Sequence, residues 1–70
     1  MKAFIKYSSG DESIVENFQY LLMSSNSGNT KVSKEDVSSK VFSSGKRYTF
    51  VGDRTVSTVS AGISYIEFID

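Results

Sequence analysis

The sequence predicts an α+β fold. The expected architecture is a small antiparallel sheet, built from an N-terminal strand and a C-terminal three-stranded meander, with one or two helices packed on one face. Three observations carry this expectation. Lys46–Ile69 reads as three runs rich in Val, Ile, Thr, Tyr and Phe, separated by Gly52-Asp53 and Ala61-Gly62. Ser9–Met23 carries an apolar stripe at helical spacing. Lys2–Tyr7 alternates charged and apolar side chains around Phe4 and Ile5, as a strand does.

The first strand is broken by Ser8-Ser9-Gly10. Ser9 followed three residues later by Glu12 has capping-box spacing, with Asp11 as the competing N-cap. Ile14, Val15, Phe18, Leu21 and Leu22 then form the buried stripe of the expected helix, and Glu12, Ser13, Glu16, Asn17 and Gln19 its wet face. Early acidic residues also suit the positive end of a helix dipole. Ser24–Thr30 is short, polar and glycine-bearing, and reads as a loop. Ser33 with Asp36 marks a second helix start, and a short helix is expected over Lys34–Ser43, closed by Gly45. Val37, Val41 and the serines between them form helices poorly, so a strand is the alternative there.

In the meander, a two-residue turn at Gly52-Asp53 sets Val51 opposite Arg54 and Thr49 opposite Val56. A short turn at Ala61-Gly62 brings Val56 near Ile66. One face then gathers Thr49, Val51, Val56, Ile66 and Phe68, and the other Tyr48, Phe50, Val59, Ile63 and Tyr65. Apolar residues on both faces exceed what an amphipathic helix on one face can cover. An aromatic surface is therefore expected to remain open to a partner.

Seventy residues form one expected domain, spanning 1–70. A chain this short has a thin stability margin, and a second copy of itself is one way to widen it. It has no cysteine and no histidine, which removes disulfides, thiolate metal sites and the commonest general base. The carboxylate neighbours Asp11/Glu12 and Glu35/Asp36 sit at expected helix starts and read as caps rather than as an acid–base pair. Phosphate-cradling glycine patterns and EF-hand-like acidic loops are absent from the sequence. The chain is therefore expected to be non-enzymatic, with no cofactor and no metal. Lys plus Arg and Asp plus Glu balance to a net charge of zero, which disfavours an electrostatic grip on duplex DNA. There is no apolar run long enough to span a membrane and no signal-peptide core after Met1, so a cytoplasmic, mature N-terminus is expected.

Lys46-Arg47-Tyr48-Thr49-Phe50-Val51 resembles the aromatic core strand of an RNA-recognition motif, with Phe4 and Ile5 as the matching first strand. That resemblance implies single-stranded RNA binding, with Phe4, Tyr48 and Phe50 stacking on bases and Lys46 and Arg47 holding phosphates. The pattern departs from the family at Arg47 and Thr49, where small residues belong, and at Asp53, where an aromatic belongs. The span where a second helix should fall, Thr55–Val59, is β-prone.

The function expected first is a protein-binding module. Size and composition are those of small inhibitors carried by phages or other mobile elements, acting by steric or competitive binding to a host protein. Tyr48, Phe50 and Tyr65 are the expected anchors, and Lys46, Arg47 and Arg54 the rim, since Tyr and Arg are favoured hot-spot residues. The same surface, or an unpaired strand edge, could instead hold a homodimer. Single-stranded nucleic acid is the alternative partner.

Overall fold

Lys2–Tyr7 forms β1, and its alternation does the expected work: Ala3 and Ile5 point inward and are fully buried, while Lys2, Phe4 and Lys6 face the other way. A computed structural model describes residues 1–37 and 45–70. After β1 the chain does not enter a helix. It turns through Ser8–Asp11, with the Tyr7 amide donating to the Asp11 carbonyl at 2.9 Å and the Gly10 amide to the Tyr7 carbonyl at 3.0 Å. It then returns as β2, Glu12–Val15, antiparallel to β1 with Ala3 opposite Val15 and Phe4 opposite Ile14.

The expected helix over Ser9–Met23 is thus replaced by two strands and a corner. Asn17 stands in the left-handed region at φ 51°, which ends any right-handed run. Beyond the corner, Tyr20–Ser25 is β3, whose alternation buries Leu21 and Met23. Three residues of the stripe are core, since Val15, Phe18 and Leu21 are fully buried, but Ile14 is exposed and Leu22 is half-buried on the other side of β3. The capping pair serves other ends. Ser9 Oγ donates to an Asp11 carboxylate oxygen in the turn at 3.3 Å, and Glu12 meets Lys6 across the hairpin at 3.5 Å.

The expected loop Ser24–Thr30 is instead a hairpin. β3 runs to Ser25, Asn26 and Ser27 make the turn, and Gly28–Ser33 is β4, with Ser25 opposite Gly28. Of the second expected helix, Lys34–Asp36 is a turn after β4 and Val37 is buried in the core; the remainder of that expectation, 38–43, lies outside the described residues.

The C-terminal runs are strands as expected, but they do not form one meander. Arg47–Val51 is β5 and Thr55–Val59 is β6, paired with Val51 opposite Thr55 and Phe50 opposite Val56. The connection is therefore three residues, not two, and the register moves by one. Tyr48, Phe50 and Val56 consequently share a face, whereas the two-residue turn had set Val56 on the opposite face. A single 3-10 turn at Ser60–Gly62 then carries the chain into the other sheet. It is tied by the Ser60 amide to the Lys46 carbonyl and by the Ser8 amide to the Gly62 carbonyl, both at 2.9 Å. Ile63–Ile69, β7, pairs with β1, so Ile66 lies opposite Ile5 rather than near Val56.

Two antiparallel sheets result, β2-β1-β7 and β4-β3-β5-β6. Their inner faces share one core, with Ala3, Ile5 and Val15 from the first and Leu21, Met23, Val32, Tyr48 and Phe50 from the second. The α+β class is overturned: sheet packs on sheet, and no helix among the described residues covers a face. The corner residue Phe18 joins the halves, its ring centroid 6.4 Å from that of Phe50 and 5.3 Å from that of Phe68.

Candidate docking surface

The six residues expected to form the binding site do not converge. Tyr48 and Phe50 are 2% and 0% exposed and belong to the shared core. The second sheet is the cover that the expected fold lacked, so their rings are not available to bases or to a partner in this fold. Arg47 is exposed on the outer face of the four-stranded sheet, where its Nη1 donates to Ser57 Oγ at 3.3 Å. Lys46 is half-buried, and its amide donates to Ser60 Oγ at 3.2 Å, so its backbone anchors the 3-10 turn. Arg54 is exposed in the β5–β6 turn, its carbonyl accepting from the Gly52 amide at 3.1 Å. Tyr65 alone of the expected anchors is open, at 47%, and it lies on the other sheet.

Around Tyr65 the outer face of β2-β1-β7 can be built up by register. β1 contributes Lys2, Phe4 and Lys6; β2 sets Ile14 opposite Phe4 and Glu12 opposite Lys6; β7 sets Glu67 opposite Phe4, Tyr65 opposite Lys6 and Ile69 opposite Lys2. Phe4 and Tyr65 touch diagonally, with ring centroids 6.2 Å apart. Ile14 is 43% and Ile69 47% exposed, which makes an unusual run of open apolar side chains for so small a molecule. Both lysines of this face are paired near its ends, Lys2 with Glu16 at 3.4 Å and Lys6 with Glu12 at 3.5 Å, while Glu67 stands in the middle of the face opposite Phe4.

The outer face of the four-stranded sheet is different in kind. It carries Thr49 and Ser57 with their hydroxyl oxygens 3.1 Å apart, and Lys31 with its ammonium 4.3 Å above the centroid of the Tyr20 ring. Its open apolar residue is Val59, at the end of β6.

Ile14 and Ile69 were not singled out as site residues in the sequence, and Phe4 was named there only as a base-stacking residue implied by the RNA-recognition-motif resemblance. The signal for Ile14 was present in Glu12-Ser13-Ile14-Val15-Glu16, where a strand puts Glu12, Ile14 and Glu16 on one side and a helix does not. Among the described residues there is no group of three or more acidic side chains able to hold a metal ion, and no helix long and apolar enough to cross a membrane. No protein-family model, no curated protein and no solved structure matches the chain.

Proposed function

We propose that the chain is a non-enzymatic protein-binding module that docks through the outer face of β2-β1-β7. The observation that carries this reading is the cluster of exposed Ile14, Tyr65 and Ile69 around the half-buried Phe4 on one sheet face. The partner that fits it is a protein surface presenting aliphatic or aromatic side chains. A polyanion fits it less well, because both lysines of the face are already held by glutamates. Binding by such a surface is steric or competitive: a rigid apolar patch occupies a patch on its target.

The single-stranded nucleic-acid alternative loses its main support, since Tyr48 and Phe50 are interior and cannot stack on bases. The proposal is tested by comparing proteins captured on the immobilised chain with those captured by Phe4→Lys and Ile14→Lys, with Val59→Lys as the control on the other sheet. The expected outcome is a protein held by the parent and by Val59→Lys, lost in the two face variants, and retained as salt is raised. Equal capture by all four proteins, or steep loss with salt, overturns the reading.

A further inference from the structure

We infer that the partner of the β2-β1-β7 face presents to Glu67 an arginine flanked by apolar side chains. The inference rests on the docking reading above and names the chemistry of its partner. Glu67 is exposed in the middle of the face. It lies directly opposite Phe4, and it falls between Tyr65 and Ile69 on the same side of β7. Among the described residues its carboxylate accepts no hydrogen bond and meets no cation.

Two lysines stand near enough by register to have filled that place. Lys2 and Lys6 flank Phe4 on its side of β1, so both are diagonal neighbours of Glu67. Both are engaged elsewhere. Lys2 meets Glu16 at 3.4 Å, and Lys6 meets Glu12 at 3.5 Å and donates to the Gly10 carbonyl at 3.0 Å. Those pairs cancel, and the charge of Glu67 stays uncompensated. A wholly apolar partner laid on this face would strip water from a carboxylate and give nothing back. A partner with a cation at that point replaces the lost water by a charge-assisted hydrogen bond.

The rings beside Glu67 select among cations. Phe4 and Tyr65 have centroids 6.2 Å apart and planes inclined by 32°, so a flat cation at Glu67 can lie against aromatic carbon. A guanidinium is planar and weakly hydrated, stacks on aromatic rings and grips a carboxylate through two N–H groups. An ammonium is a compact, strongly hydrated point charge. Arginine is therefore the better match. An ion pair enclosed by apolar neighbours is screened little, so this contact keeps the salt resistance expected of the face.

The probe is the acetylated, amidated tripeptide Leu-Arg-Leu, compared with Leu-Gln-Leu and Leu-Lys-Leu. NMR resonances of Phe4, Tyr65 and Glu67 are followed as each peptide is added, with dissociation constants on the order of millimolar expected. Leu-Arg-Leu should bind roughly three- to thirtyfold tighter than Leu-Gln-Leu. Glu67→Gln should remove that difference and leave the binding of Leu-Gln-Leu unchanged. Equal binding of these two peptides at the face overturns the inference and leaves the docking reading standing. Equal binding of Leu-Lys-Leu and Leu-Arg-Leu overturns the choice of arginine. The inference also falls if no peptide shifts these resonances, or if protein concentration alone shifts them, as a second copy on the face would. The docking reading is judged separately, by capture on the parent chain against Phe4→Lys and Ile14→Lys.

Discussion

Gly52 shows how a residue can be indispensable for a reason other than the one its type announces. A glycine beside an aspartate between two strands reads as a positive-φ turn residue, yet the positive-φ glycines among the described residues are Gly10, Gly28 and Gly45. Gly52 is required by crowding. A Cβ there would lie 2.6 Å from the Glu16 carbonyl oxygen, 2.7 Å from Val15 Cγ1 and 2.9 Å from the Asn17 carbonyl oxygen. The β5–β6 turn is pressed onto the β2–β3 corner, where the Asp53 amide donates to the Glu16 carbonyl at 2.9 Å and Asn17 Nδ2 to an Asp53 carboxylate oxygen, also at 2.9 Å. Two of the three close atoms are backbone, so the strain has no side chain to absorb it. Gly52→Ala is expected to destabilise the fold by roughly 1–3 kcal/mol. The check is a lower urea midpoint with an unchanged slope. Gly28→Ala meets no neighbour within 4 Å and is penalised by its φ of +128° alone.

At the scale of elements, the difference between a helix and a hairpin over Ser9–Met23 lies in the partners. Val15, Phe18 and Leu21 are buried in either arrangement, because their spacing satisfies a helical stripe and also the inner positions of two strands and a corner. Local preference leans toward strand at Ser13-Ile14-Val15, which are poor helix formers, and toward a break at Asn17. The decisive term is non-local: β3 is bonded on both sides, Leu21 to Val32 and to Phe50, Met23 to Thr30 and to Tyr48. Backbone amides of Leu21, Leu22 and Met23 should all be strongly protected from hydrogen exchange, and those on the outer edge of β4 weakly. Fast exchange along Leu21–Met23 would contradict the central position of β3.

Across the whole molecule, stability rests on the contact between two thin sheets, and Phe18 is the side chain that both reach. It is fully buried and touches Phe50 of one sheet and Phe68 of the other. Phe18→Ala is expected to remove about 3–5 kcal/mol. Folding free energies run at about 0.05–0.15 kcal/mol per residue, so for 70 residues this is comparable with the total. Thermal unfolding followed by near-UV circular dichroism should show the variant largely unfolded at 37 °C. By contrast, the exposed pairs Lys2–Glu16 and Lys6–Glu12 each contribute about 1 kcal/mol or less.

What the sequence determined by itself is local and periodic. It marked β1, β5, β6 and β7 through alternation and β-branched residues, and it marked Val15, Phe18 and Leu21 as core. Both are properties of a few neighbouring residues. Apart from the β5–β6 hairpin, which strand lies beside which was settled by tertiary structure. The 3-10 turn at Ser60–Gly62 sends β7 to β1, and the second sheet then seals Tyr48 and Phe50 while leaving Phe4, Ile14 and Tyr65 outside. The physical reason is that an alternating strand offers two apolar sides, and only the sheet stacked against it decides which side becomes the interior.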